Sequence, residues 1–292
     1  MFRRERFLLT LVSTLLAGLV CVGQSSAAGS CQPLQISFVS GTSLVPQYES
    51  ICGLSLNLPA GGNYRVTGLD LGIISGTSRM NGIQANLLLN ITPFSDSFEG
   101  GMRGIQIAGL TNILFGTQMT GIQIAGLVNA GSGTGLQLAS LVNVGGGTQV
   151  QVALFNVSSK GTSGVQLGAV NLADAMTGAQ CCGIYNSAEA LSGIQIGLVN
   201  RTTNPYAGFS EPVRSMIGAR NEPSTGLQLG MINLADAVTG VQCGLVNRAV
   251  AARGLQIGLF NIATDLYGVQ IGALNIIEHS SVPFMPIVNM RF

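Results

Sequence analysis

Charge is what this sequence has least of. Only 9% of its 292 residues are Asp, Glu, Lys or Arg, Trp is absent, and Lys160 and His279 are the single lysine and the single histidine. An average soluble domain carries roughly 25% charged residues. A formal net charge of +1 leaves no electrostatic footprint for nucleic acid, whose phosphates call for clustered Lys or Arg. General acid–base catalysis needs a titratable pair held in a cleft. Here the acids fall mainly in lead-in, loop and turn positions: Asp96, Glu99, Asp174, Glu189, Glu211, Glu222, Asp236 and Asp265. The expectation is a chain that is not an enzyme and takes no cofactor; loops 91–103 and 201–215 are where reactive side chains would otherwise have to lie. Cys181-Cys182 has no second Cys or His pair beside it, so a metal centre is not expected either.

Long apolar runs are also missing, with one exception at the start. Arg3, Arg4 and Arg6 precede an apolar stretch from Phe7 to Gly23 and the small residues Ser25-Ser-Ala-Ala-Gly29. This reads as a secretory signal over residues 1–28, with an N-terminal membrane anchor as the alternative. No other segment approaches the roughly 18 apolar residues of a membrane helix, so passage of the mature chain through a bilayer would use strands. Removing the signal takes Cys21 and leaves Cys31, Cys52, Cys181, Cys182 and Cys243. In an oxidising compartment Cys31 and Cys52 are the candidate disulfide, since they flank the segment before the repeats. The other three occupy positions held elsewhere by Ile, Leu, Gly or Ala, and read as small packing residues.

What the sequence has in abundance is one phrase, Gly-aliphatic-Gln-aliphatic-Gly-x-x-Asn. Clean copies are Gly193-Ile-Gln-Ile-Gly-Leu-Val-Asn200, Gly226-Leu-Gln-Leu-Gly-Met-Ile-Asn233 and Gly268-Val-Gln-Ile-Gly-Ala-Leu-Asn275. Its glutamines are Gln84, Gln106, Gln123, Gln137, Gln151, Gln166, Gln180, Gln195, Gln228, Gln242, Gln256 and Gln270, mostly 14 or 15 residues apart, with longer steps of 22, 17 and 33. A unit this short cannot bury its own apolar face and must stack on or pair with its neighbours. Residues 29–292 therefore read as one domain: a lead-in over 29–66, repeats over 67–277 and a terminal strand over 283–292.

Ile194, Ile196 and Leu198 share one parity, and Gly193, Gln195 and Gly197 the other, which is the period of a strand. Small polar segments between phrases, such as Gly131-Ser-Gly-Thr, Gly145-Gly-Gly-Thr and the twins Leu172-Ala-Asp-Ala-Met-Thr and Leu234-Ala-Asp-Ala-Val-Thr, read as turns. Each repeat then becomes a strand and a turn. Worn copies around Gly53, Gly68, Met216 and Met285 raise the total to about sixteen short strands. Copies with an extra residue, Gly104 to Asn112 and Gly121 to Asn129, are candidate bulges or corners.

Two all-β architectures satisfy this pattern. In the first, an antiparallel meander closes into a barrel with aliphatic residues toward lipid and Gly and Gln inward. In the second, each repeat is a coil of a parallel β-solenoid with Gln on Gln and Asn on Asn. The export signal, the scarcity of charge and the terminal Phe292 with alternating Met290 and Val288 favour the barrel; the fixed register of Gln and Asn suits the solenoid. Either way, Asp70 stands in the glutamine position of its repeat. It joins Gln106, Gln123, Gln166, Gln195, Gln228, Gln256 and Gln270 as candidate lumen-lining or register-setting residues, with the rim of a lumen as its expected place and register-setting as the expected role of the glutamines.

At these repeats the sequence resembles a broad, largely uncharacterised bacterial family of exported surface-repeat proteins with Gly-Leu-Gln-Ile-Gly-Leu-Val-Asn or Gly-Val-Gln-Leu-Ala-Gly-Phe-Val-Asn units. The lead-in, Ile36-Ser-Phe-Val and Gly53-Leu-Ser-Leu-Asn-Leu, and the tail Pro283 to Phe292 resemble that family's entry and ending. The resemblance implies location and architecture but no catalytic residues. The expected function is an exported outer-membrane or cell-surface β-repeat protein of a Gram-negative-type bacterium, structural or passively pore-like. The alternative is a soluble or surface-tethered β-solenoid acting as a binding or adhesion module. Expected partners are membrane lipid, with small uncharged solutes or surface ligands next, and no nucleic acid.

Overall fold

Equal spacing of one phrase allows each copy to meet the next residue for residue, and the chain folds that way. In the computed structural model, Gly240 pairs with Gly254 and Gly254 with Gly268, while Gln242 pairs with Gln256 and Gln256 with Gln270, all in parallel strands. Earlier in the chain Gly82, Gly104 and Gly121 align in the same manner, as do Gln84, Gln106 and Gln123. The structure describes residues 31–39, 42–93, 101–159, 162–203 and 224–292. It divides into two compact units, Met1–Gly135 and Leu136–Phe292. Each unit winds as a parallel β-solenoid, and no helix occurs among the described residues.

The barrel expectation is therefore corrected, although the all-β class holds. Antiparallel pairing would set each phrase against a reversed copy, with Gln and Asn out of step. Parallel pairing places every amide against an identical amide one coil away.

The connecting segments account for the rest of the difference. Leu234-Ala-Asp-Ala-Val-Thr lies inside the strand Ile232–Cys243, and Leu172-Ala-Asp-Ala-Met-Thr inside Thr162–Ile196. Their small residues are not reversing the chain. Ala173, Met176, Ala235 and Val238 are buried and stack as the second wall of the coil, in clusters such as Ala235, Val238, Ala249, Ala252, Ala263, Leu266 and Ile277. In the first unit the same wall is Val45, Ile51, Val66, Met80, Met102, Leu114 and Met119.

Real corners fall inside the phrase. The chain bends at Gly197–Leu198, Met231, Leu245 and Leu259, just after each Gln strand. A bend there resets the parity, so that an Asn five or six residues after its Gln still points inward. Gly109–Leu110 and Gly126–Leu127 are such bends, and they absorb the extra residue of the longer copies. Insertions are absorbed too: Gly193 still pairs with Gly226, and Arg79 to Asn86 still pair with Gly101 to Ala108.

Glycine is demanded at two sites per coil. Gly240 has φ 140°, where an L side chain is strained, and a Cβ there would overlap the Gly226 carbonyl oxygen. At Gly244 a Cβ would overlap the Gly230 carbonyl and come within 2.7 Å of Asn233 Nδ2.

Both ends are closed differently from the middle. Gln32–Val39 pairs in parallel with residues 51–57 and antiparallel with Thr42–Ser43, and Cys31 is disulfide-bonded to Cys52 with Cα atoms 5.6 Å apart. At the other end Phe284–Arg291 lies antiparallel on the strand Phe260–Ile277. The signal over 1–28, the worn copy Met216 to Asn221, and Asp96, Glu99, Lys160, Glu211, Arg220 and Glu222 lie outside the described residues.

Gly244→Ala is expected to cost about 1–3 kcal/mol, since an overlapping Cβ must displace backbone or the Asn233 amide. Gly183→Ala meets nothing within 4 Å and should stay within about 0.5 kcal/mol of the native chain. Denaturation midpoints of the two variants check the difference.

Candidate functional site

A primary amide carries two N–H donors and a carbonyl acceptor, and burying it without partners costs free energy. The ladder glutamines are buried: Gln106, Gln123, Gln166, Gln195 and Gln270 are 0% exposed. They satisfy one another. In the first unit Gln123 Nε2 donates to Gln106 Oε1, and Gln106 Nε2 to Gln84 Oε1, each at 2.7 Å. From Gln270 back to Gln137 every Nε2 donates to the preceding Oε1 at 2.7–2.9 Å. These contacts fill the inward face, so the glutamines line no lumen; they fix register.

Asparagines form a second ladder with the opposite sense. Asn90 Nδ2 donates forward to Asn112 Oδ1 at 2.7 Å, and Asn112 to Asn129 at 2.8 Å. In the second unit the same forward donation runs from Asn143 to Asn275 at 2.8–3.1 Å. The other Nδ2 hydrogen reaches a backbone carbonyl just before the next coil's bend, as from Asn247 to Ile257 O at 2.8 Å. Gly244 and its counterparts leave the room for that approach. Glutamine dipoles thus point one way and asparagine dipoles the other, and their fields oppose along the stack.

Directional ladders need different ends. The glutamine ladder of the first unit starts at an N–H, and Asp70 meets it with an acceptor-only carboxylate: Gln84 Nε2 donates to Asp70 Oδ2 at 2.9 Å. Ser75 Oγ and Thr77 Oγ1 donate to the same oxygen at 2.6 and 3.0 Å, and Asn57 Nδ2 donates to Oδ1 at 2.5 Å. Asp70 is 0% exposed, which corrects its expected place at the rim of a lumen. The asparagine ladder begins with Asn86 Nδ2 donating to Asn90 Oδ1. The asparagine ladder of the second unit finishes with Asn275 Nδ2 donating to Met285 O of the antiparallel strand at 3.2 Å. At the far end of the glutamine ladder Gln270 Oε1 has no partner. Ser75, Thr77, Asn57 and Asn86 escaped the sequence reading because they break the phrase, although Ser75 stands where the repeat places Asn.

Burial raises the Asp70 pKa, and hydrogen bonds from Ser75, Thr77, Gln84 and Asn57 pull it down without overturning the rise. The exposed Glu189 is also raised, by partial burial and then by Asp174. Cys181, Cys182 and Cys243 are free and half-buried.

The outward face of the glutamine strand carries the aliphatic parity. Ile194, Ile196 and Leu198 are 40%, 44% and 48% exposed. Parallel register lines them up with their counterparts: Ile194 with Leu227 and Ile196 with Leu229, then Val241 with Leu255 and Cys243 with Ile257. In the first unit Ile83, Ile107 and Ile124 face solvent likewise. The two columns beside the glutamines contain no charged residue in either unit.

No family model, curated protein or solved structure matches the chain. Its geometry carries the functional argument by itself.

Gln228→Met removes a donor from Gln195 Oε1 and an acceptor from Gln242 Nε2, at about 1–3 kcal/mol for each group orphaned. Gln270→Met orphans Gln256 Oε1 and takes one hydrogen bond from Ile276 O, but it strands no donor and removes a buried oxygen that already lacks a partner, so its midpoint should fall less. Guanidinium titration ranks the two. For Asp70, a folded pKa above the unfolded one means that the folded state holds the proton more tightly. Its contribution is then greatest below the ordinary carboxyl range near pH ~4, and is lost as pH rises through the folded value. Asp70→Asn should flatten this part of the Tm-versus-pH curve, with an unchanged curve contradicting the assignment.

Proposed function

We propose that this chain is an exported, non-enzymatic β-solenoid of a bacterial cell surface, acting as a binding or adhesion module through its aliphatic outer face. One observation carries the reading: registered columns of Ile, Leu and Val stand in solvent over a strand whose inward amides are wholly engaged with each other. The ladder glutamines and asparagines are shut off from solvent and give their amides to one another, and Asp70 is surrounded by its own donors. Contiguous exposed apolar surface of this kind marks interaction sites in soluble proteins. Export is supported by the N-terminal sequence pattern and by the disulfide between Cys31 and Cys52, which suits an oxidising compartment.

Display of the mature chain on a bacterial host should increase retention of the cells on a hydrocarbon-coated surface. The double variant Ile196→Arg and Ile257→Arg, displayed to the same level, should lose most of that gain. Retention of native-display cells no greater than that of bare cells would defeat the proposal.

A further inference from the structure

The aliphatic face of the second unit is suited to one partner above others, and we infer that it is a second copy of this chain, packed face to face. This rests on the reading of that face as the working surface, and goes further by naming what covers it.

Charge is the first reason. A two-fold interface brings a surface patch against itself, so any net charge on it faces its own kind. From Leu138 to Ile271 the two columns flanking the ladder hold only aliphatic residues and two cysteines. Among the described residues of this unit, Arg201 and Arg248 follow the ladder asparagines, Arg253 precedes Gly254 and Arg291 stands on the terminal strand beside Gly268; none occupies the two flanking columns. Identical faces can therefore meet without repulsion. A bilayer is a poorer match, because interfacial membrane binders anchor the border of their apolar face with Trp as well as Lys and Arg, and this chain has no Trp.

Area is the second reason. Ladder positions Gln137 to Gln270 stack nine coils in the second unit. At about 4.8 Å per strand and about 3.3 Å per residue, a five-residue strand gives a face of about 40 by 16 Å. That is roughly 650 Å² per copy and roughly 1,300 Å² for the pair, within the roughly 1,200–2,000 Å² of stable interfaces. Half of that area would be at the crystal-contact level.

Periodicity is the third. Each coil presents ridges at the strand spacing, and a second copy offers the same spacing along its whole length, so sheets can pack about 10 Å apart without drifting out of phase.

Sedimentation equilibrium of the mature, disulfide-bonded chain gives the test. The native chain is expected to be a concentration-dependent dimer. Ile196→Glu, at the middle of the face, should weaken the dimer about tenfold or more by setting like charges together. Val250→Glu, an exposed site on another part of the coil, should leave it unchanged. Matching circular dichroism and melting curves show that the variants fold. Three results overturn the inference: a native chain that stays monomeric at its solubility limit, a dimer dispersed by Met290→Glu but not by Ile196→Glu, or a monomer that sediments with phosphatidylcholine vesicles. A monomer whose displayed cells still adhere to the hydrocarbon surface would sink this inference alone and leave the proposed function standing.

Discussion

The buried amide governs this structure. An amide shut away from water must find a donor and an acceptor of matching geometry, and the simplest place to find both is another copy of itself one strand away. That requirement selects parallel pairing, because only parallel register returns the same residue at the strand spacing along every coil. It also selects glycine at Gly240 and Gly244, since a Cβ would strike the preceding coil's backbone and, at Gly244, the asparagine amide too. The aliphatic face follows from the same constraint, for a two-residue period that sends Gln inward must send Ile outward.

Hydrogen-bonded interiors of this kind differ from oily cores in how they fail. In a hydrophobic core a truncated side chain leaves a void whose cost depends on local collapse. In a ladder, loss of one rung strands its neighbours on both sides, and the cost is set by how many polar atoms are left alone. The apolar wall opposite, Met176 and Leu191 in one cluster and Val238 to Leu266 in another, supplies the ordinary burial that the amides do not.

Strand parity, the inward sense of Gln, the repeat and its period were all legible in the residues. Which repeat pairs with which way round was not, because alternation fixes the two faces of a strand and is silent on the direction of its neighbour. The segments around Ala173 and Ala235 misled for a physical reason. Small residues favour turns when exposed, yet here they are small because they lie inside a narrow coil. The ends were the least legible part: Asn57, Ser75, Thr77 and Asn86 work as terminators by departing from the phrase, and a departure carries no pattern to follow. Asp70 was visible as the one acid in a glutamine position, but its neighbours were needed to show that it receives hydrogen bonds instead of touching water.

Opposed ladder directions have a consequence for how such a chain can change length. Within each unit an interior coil receives one amide hydrogen bond and passes one on in both ladders, so its predecessor and successor present the same atoms that it does. Removing a whole coil, or copying one in frame, rejoins donors to acceptors with nothing left over. The terminators cannot be moved in this way, because Asp70 and the antiparallel strand Phe284–Arg291 each answer only one polarity. A gene for this fold can therefore lengthen or shorten by recombination between its own repeats while its two ends stay fixed, and the size of the outer face becomes a quantity that selection can adjust one coil at a time.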